Sequence, residues 1–393
     1  PIQQAHQMSK QNNLKSLAKV MTAIALVGVM VGINLPLSSL TLKTWGVTSA
    51  VIGFSASMVG LATVIITPFF SKLINRFGQM QIMRFCLIVL PISILFLPAF
   101  KNIYIWFVLR FIIGIAATGI WLLSEVWINA FAEDKHRGKV IAVYSSIISL
   151  GFIVGVLIMS FISIESGGGF YVSALISIAA AIPLWNMTDL PDYDVVEDIS
   201  FYSYLVTAPG LMGSSWMMGF LYAGTAALLP IFALPYVQED YAQSSRTVAW
   251  LASGELICPL IVGWMADRYD KARLMIYVSS ISVISLAILP MIFNVPFLRF
   301  LTLFILGGTI MSFYSLGLTL LGQEFKGKVL ASANACFIFF LSLGEILGPP
   351  VIGKAMDLFG NAAFGWSMAL VGFIYLIIFI GSNASIRINN QGS

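Results

Sequence analysis

Apolar residues fall in long unbroken runs, and short polar stretches between them carry nearly all the charge. The runs cover residues 18–42, 48–74, 81–99, 103–130, 138–163 and 170–187, then 206–234, 244–266, 272–293, 297–322, 329–353 and 365–384. A helix needs roughly 20 apolar residues to cross about 30 Å of hydrocarbon, and these runs are near or above that length. Strands of a membrane barrel would instead show segments of about 10 residues with alternating polarity. In hydrocarbon only helices and closed barrels satisfy the backbone. The pattern therefore predicts an all-α integral membrane protein with twelve spans, grouped as two sets of six.

Composition agrees with this reading. Of 393 residues, 59% are apolar and 10% charged, with a mean hydropathy of +0.93. A soluble domain carries about 25% charged residues. The net charge of +4 does not mark a nucleic-acid partner, because the bases sit in small clusters between apolar runs. Those clusters set orientation instead. With the N-terminus in the cytoplasm, 15 Lys and Arg fall on the cytoplasmic side, 5 on the opposite side, and Arg110 lies within a span. Both termini are thus expected in the cytoplasm, and the chain in the cytoplasmic (inner) membrane. The expected organisation is a bundle over 1–187, a cytoplasmic linker over 188–205 and a bundle over 206–393. No cleavable leader is expected, since the first run is long enough to span. Met8 reads as a start, with residues 1–7 an upstream remnant.

The two sets repeat one another. RGKVIA at 137–142 returns as KGKVLA at 326–331, and ISLGFIVG at 148–155 as LSLGEILG at 341–348. More weakly, SKLINRFGQMQ at 71–81 pairs with GWMADRYDKAR at 263–273. The offsets are 189, 193 and 192 residues, so the halves run parallel in sequence. Such duplication is expected of a secondary transporter, with its site between the halves near mid-membrane.

GWMADRYDKAR resembles the loop motif G-x-L-x-D-R-x-G-R-[RK] of the major facilitator superfamily. Gly263, Asp267 and Arg268 match, Asp270 replaces the later glycine, and Lys271 and Arg273 supply the basic end. The first copy keeps Arg76 and Gly78, but has Ser71, Asn75 and Gln79 where glycine, aspartate and a base are usual. Arg110-x-x-x-Gly114 resembles the family's helix 4 arginine motif. Gly344-x-x-x-Gly348-Pro349 resembles its glycine–proline motif, whose first-half position has Gly151, Gly155 and Val156. The resemblance implies a twelve-helix fold of two pseudo-symmetric bundles that moves a small organic solute by alternating access. It implies a cytoplasmic gate at Arg76, Gly78, Gly263, Asp267, Arg268 and Lys271. It also implies a cavity lined by helices 1, 4, 7 and 10, which offer Asn34, Ser38, Trp121, Ser215, Trp216, Tyr222, Ser312 and Tyr314, with Trp250 of helix 8 beside them. The alternative for each aromatic is a lipid-facing or interfacial position.

A charge inside a span costs about 2.5–3.5 kcal/mol on insertion scales, so each is a candidate for function. Glu255 is the first candidate for proton coupling. It lies near the middle of helix 8, and the first half has Thr63 at the equivalent place. A buried carboxyl exchanges protons nearer neutral pH than an exposed one. Glu345 stands where the first half has Phe152, and is read as coupling residue, gate, or partner of Lys354 or Arg299. Arg110 either assists coupling or ties helix 4 to carbonyls of another helix. Glu125 is read as a partner of Arg76, Arg84 or Arg137 ahead of a proton site. The glycine spacings read first as close helix packing.

Other chemistries are expected to be absent. Cys86, Cys258 and Cys336 lie inside apolar runs without metal or disulfide spacing, so no metal and no cofactor are expected. No lysine follows the phosphate-loop pattern of an ATP-driven pump. His6 and His136 accompany no nucleophile–base motif, so the chain is not read as an enzyme. The expected function is proton-coupled export by antiport, with uptake by symport, or a transporter-like sensor, as alternatives. The partners are a small-molecule substrate, protons and the lipid bilayer, and the protein is expected to act as a monomer.

Overall fold

The computed structural model describes residues 2–132, 137–187, 190, 208–325 and 327–391, without side chains at 2–13, 137–139, 142, 327–328, 331–332 and 383–391. Twelve α-helices and one 3₁₀ turn account for the described elements, with no strand among them. They are α1 (Ile2–Thr44), α2 (Ser49–Phe77), α3 (Gln79–Phe96), α4 (Ile103–Phe131), α5 (Arg137–Met159) and α6 (Gly168–Leu184). After the interval come α7 (Pro209–Ala233), α8 (Tyr241–Ala266), α9 (Lys271–Ile292), α10 (Pro296–Glu324), α11 (Gly327–Phe359) and α12 (Ala363–Gln391). Among the described residues, ten helices are long and apolar enough to cross a membrane; Val143–Met159 and Gly168–Leu184 are apolar but shorter. The expected linker 188–205 lies outside the described residues apart from Leu190, and so do most side chains of the repeated basic phrase.

Local chemistry sets the ends of these helices. Pro209 opens α7 at a position where a missing N–H removes no helix bond. Pro235 falls just beyond α7, in the 3₁₀ turn Leu234–Val237. Gly78, at φ 84°, turns the chain between α2 and α3, a backbone region that only glycine enters without strain. Asn102 caps α4 by accepting from the amides of Tyr104 and Ile105. Asp240 caps α8, accepting from the amides of Ala242 (2.9 Å) and Gln243 (3.1 Å) and from the Gln243 side chain (2.9 Å). Those bonds, the Gln243 amide foremost, hold its carboxyl below the usual aspartate range. A depressed carboxylate stabilises the fold above its unfolded value near 3.9 and loses that contribution as pH falls through its folded value. Asp240→Ala is expected to lower stability by about 1 kcal/mol at neutral pH. Denaturation midpoints in detergent check this, and the gap to wild type should narrow on acidification below about pH 4.

By packing, the chain divides into two compact units. One comprises Pro1–Leu37 with Leu61–Val196, the other Ser38–Gly60 with Glu197–Ser393. In the first unit α3 packs on α4 and α6. Trp106 is buried there, with its indole N–H shared between the carbonyls of Leu97 and Phe100 at 2.9 Å and its ring edge-on to Phe170. Helices α1 and α5 touch backbone to backbone: a Cβ on Gly32 would fall on the Phe152 carbonyl, and one on Gly155 on the Val29 carbonyl.

The second unit pairs α7 with α11, α8 with α10 and α9 with α12. Glycines make the first two crossings close. A Cβ on Gly219 would fall on the Leu341 carbonyl, and one on Gly254 on the Phe304 carbonyl. Phe232, Phe293 and Phe364 are fully buried and stack together near the end of α7, where Asn361 donates to the Phe232 carbonyl at 2.8 Å. Residues 38–60, the end of α1 and the first turns of α2, pack here as well. Asp357 accepts from the amides of Ser49 and Ala50 at 2.9 Å each, capping α2. Ser57 donates to the Ile346 carbonyl at 2.6 Å, and Gly53 and Gly353 let α2 and α11 meet at the backbone. Elsewhere large apolar side chains such as Leu175, Ile182, Leu260 and Leu370 stand exposed, a surface that hydrocarbon covers without loss.

Candidate functional site

Glu255 lies on α8 and is 9% exposed. Its Oε1 has no hydrogen-bond partner among the described residues. The placement follows from Gly254 and Gly307. A Cβ on Gly307 would fall on the Leu251 carbonyl and come within 3.2 Å of the Glu255 amide. The α8 and α10 backbones therefore touch at Glu255. A buried carboxylate in this condition is expensive unless it is protonated or paired.

Glu345 occupies a similar setting on α11. A Cβ on Gly219 of α7 would lie 3.1 Å from the Glu345 amide, and one on Gly60 of α2 3.5 Å from its Cβ. Tyr222 lies on α7, the helix that packs against both α8 and α11 in this unit. The Thr63 counterpart in the first unit shares a 2.7 Å hydrogen bond with Thr118, a neutral and satisfied pair.

The first unit has its own smaller cluster. Glu125 accepts from the Trp121 indole N–H at 2.9 Å, one turn back on α4. Trp121 faces Tyr144 of α5 with ring centroids 6.1 Å apart, and the Tyr144 hydroxyl is buried without a hydrogen-bond partner among the described residues. Of the bases expected to meet Glu125, Arg84 donates to the Trp185 carbonyl at 3.1 Å, Arg76 lies over the Phe77 ring, and the Arg137 side chain is outside the described residues. Arg110 is buried on α4, 4% exposed.

The expected cavity residues divide by environment. Asn34 donates to Ser173 at 3.2 Å, tying α1 to α6. The hydroxyl of Ser215 donates to the Phe337 carbonyl, and that of Ser312 to the Gly308 carbonyl at 2.6 Å; both residues are fully buried. Trp216 stacks on Phe220 at 5.0 Å, and Tyr314 tilts against Phe337 in the cluster around Met212 and Leu321. Ser38 is 2% exposed and belongs to the second unit. Trp250 is 47% exposed and packs edge-on to Phe300 at 4.5 Å.

The loop motif shows how its substitutions work. Asp270 stands where a glycine is usual and caps α9 through the Arg273 amide at 2.8 Å. Asp267 is the C-cap of α8, Lys271 opens α9, and Arg268 lies 3.8 Å over the Trp264 ring, a cation–π contact. Gly263 has open space on its Cβ side. In the first copy, Gln79 accepts from the Trp127 indole N–H at 2.7 Å, which a base in its place could not do. Sequence reading missed that pairing, and also the Asp357 cap and Tyr144. No pattern along the chain announces them, because each depends on a distant partner. Among the described residues no group of three or more His, Cys, Asp or Glu stands ready for a metal ion.

A family model described as Major Facilitator Superfamily matches residues 20–232 and 215–385. The uncharacterized MFS-type transporter YfkF of Bacillus subtilis (strain 168) is 23% identical over 375 residues, covering 92% of this chain and 94% of the relative. The uncharacterized MFS-type transporter YcaD of Escherichia fergusonii is 24% identical over 378 residues, covering 93% and 94%. Among solved structures, the nucleoside transporter NupG aligns with a TM-score of 0.77 at 16% identity, covering 94% of this chain and 98% of that one. A bacterial homologue of the human lysosomal transporter Spinster, in an inward-facing and unoccupied conformation, aligns with a TM-score of 0.74 at 13% identity, covering 96% and 98%. At these identities the structural likeness shows the fold alone.

Proposed function

The chain belongs to the major facilitator superfamily, and from that premise we propose that it exports a small organic solute across the cytoplasmic membrane in exchange for protons. Residues 1–187 and 206–393 act as two six-span halves joined by 188–205, with both termini in the cytoplasm. The protein works as a monomer by alternating access. Glu255 carries the proton.

One observation carries this reading: a carboxylate buried mid-helix with an oxygen that has no hydrogen-bond partner among the described residues. A structural carboxylate is normally satisfied, because an unsatisfied one lowers stability. One that must bind a proton and later give it up benefits from having no permanent donor. The first unit fills the equivalent place with a neutral threonine pair. That difference fits a working group in one half better than a scaffold shared by both. Tyr222, Trp216 and Tyr314 give this unit aromatic surfaces with hydroxyl and indole edges, suited to an amphipathic or moderately polar organic solute.

The reading is tested in two stages. A thermal-shift screen of purified protein against metabolite and drug classes selects a solute. Proteoliposomes holding a pH-sensitive dye then report proton movement when only a solute gradient is imposed. Antiport predicts protons moving opposite to the solute. Protons moving with it establish uptake by symport, and binding without flux establishes a sensor.

A further inference from the structure

In the first unit, the side of α4 turned away from α3 carries a carboxylate and an aromatic ring together. A Cβ on Gly119 would fall on the Cys86 Sγ of α3, and the Trp127 indole donates to Gln79 at the start of α3 at 2.7 Å. Trp121 stands two positions after Gly119, and Glu125 two positions before Trp127. Two positions are about 200° around a helix. The helix that covers Gly119 and Trp127 therefore leaves Trp121 and Glu125 free. An ionisable side chain within a span faces the bundle interior or a water-filled cavity in preference to hydrocarbon.

Three groups stand together on this side. The Trp121 indole N–H donates to Glu125 Oε1 at 2.9 Å, which fixes ring and carboxylate side by side. Trp121 is 38% exposed, so much of its ring is open. Tyr144 of α5 faces it with ring centroids 6.1 Å apart and planes at 59°. Tyr144 itself is 5% exposed, and its hydroxyl has no hydrogen-bond partner among the described residues. Buried hydroxyls are normally bonded, and leaving one unpaired lowers stability. Tyr144 is thus an independent sign that a ligand completes this corner.

The carboxylate also has capacity to spare. An ionised carboxylate offers about four lone-pair sites, and the donor seen here is a neutral indole. Arg84 is engaged by the Trp185 carbonyl, and Arg76 lies over the Phe77 ring. Arg110 is 15 residues away on the same helix, a rise of about 22.5 Å. A negative charge beside an open aromatic face is the arrangement that attracts an organic ammonium. The hydrogen bond from the indole to the carboxylate polarises the ring and strengthens that attraction. A divalent metal is a poorer fit, because it takes several oxygen ligands and the described residues hold no group of three or more His, Cys, Asp or Glu for one. An anion would be repelled by Glu125.

We propose that Trp121, Glu125 and Tyr144 bind the ammonium group of an organic amine, so that the solute this protein moves is a cation. The second half of that statement rests on the transport reading above, and the binding site does not. In this scheme Glu125 supplies the counter-charge and the Trp121 ring face packs on the ammonium substituents. The Tyr144 hydroxyl supplies a further hydrogen bond to the solute. The indole N–H holds the carboxylate in place while leaving its other lone pairs to the ligand.

Equilibrium binding of tritiated phenyltrimethylammonium to the purified protein tests the site without any transport. Its neutral isostere tert-butylbenzene, which has the same shape and no charge, should not compete. Glu125→Gln should weaken binding by about tenfold or more, the scale of a lost charge-assisted contact. Trp121→Ala should weaken it by about threefold to tenfold, within the range of one cation–π contact. Glu125→Asp keeps the charge and should bind better than Glu125→Gln, which separates lost charge from misfolding, with unfolding midpoints as a check. Arg137→Gln should leave the affinity unchanged. Failure of wild type to bind the ammonium, equal competition by the neutral isostere, or wild-type affinity in a folded Glu125→Gln each overturns the proposal. So does a clear gain of affinity in Arg137→Gln, which would make that arginine the resident partner of Glu125. Glu125-dependent binding without flux in proteoliposomes supports the site and discards the transport reading. Proton-driven flux of a solute with no ammonium binding does the reverse.

Discussion

Glu255→Gln is expected to abolish transport driven by a pH gradient while leaving solute counterflow partly intact. Glutamine keeps the size and polarity of the side chain but neither binds nor releases a proton at neutral pH. Glu255 lies at the α8–α10 crossing and its Oε1 has no partner among the described residues, so that oxygen loses no hydrogen bond on replacement. Folding should therefore survive. An antiporter that cannot discharge its proton is held in the loaded state, where solute-for-solute exchange remains open and net movement stops. The expected loss in net flux is tenfold or more, corresponding to about 1.4 kcal/mol or more on the limiting step. Counterflow in the same proteoliposomes separates this from a folding defect. Undiminished pH-driven flux in the variant removes Glu255 from the coupling role.

Gly307→Ala should have the second largest effect, this time on stability. The added methyl group would fall on the Leu251 carbonyl of α8, with the Glu255 amide 3.2 Å away. Backbone cannot move aside as a flexible side chain does, so α8 and α10 must separate. Overpacking of this kind costs about 1–3 kcal/mol, and here the upper part of that range is expected. Gly381→Ala is the control. It lies within α12 with no atom of the described residues within 4 Å of its Cβ direction, and there alanine should be neutral or stabilising by up to about 1 kcal/mol. Unfolding midpoints in detergent compare the two. Equal behaviour would mean that the α8–α10 crossing is looser than its geometry.

The helices were legible in the sequence because hydrocarbon imposes length and composition on every span. The run 206–234 became α7 from Pro209 to Ala233 with a 3₁₀ turn beyond it, and 272–293 became α9 from Lys271 to Ile292. The carboxylates were legible for a related reason: a charge among so many apolar residues stands out. Their surroundings were not. The family resemblance offers Asn34 as a cavity residue, but its bond to Ser173 of α6, which an amide in a span needs, is not written along the chain. Glu125 reads as a partner of basic side chains, yet its hydrogen-bond donor is an indole on its own helix. The association of residues 38–60 with the second unit was also hidden. It depends on Gly53, Gly353 and Asp357 meeting across some 300 residues of chain. Periodicity reports which face of a helix is apolar, and is silent on which helix covers it.

The measurement that bears most directly on proton-coupled transport is uphill solute movement in proteoliposomes under an imposed pH gradient. A gradient of about one unit is worth about 1.4 kcal/mol per proton, so exchange of one proton per solute sustains roughly a tenfold solute ratio, and two protons roughly a hundredfold. The account predicts that solute moves against its own gradient, opposite to the protons, and equilibrates at once when a protonophore collapses the pH difference. Equal solute concentrations on both sides, whatever pH gradient is applied, would contradict it.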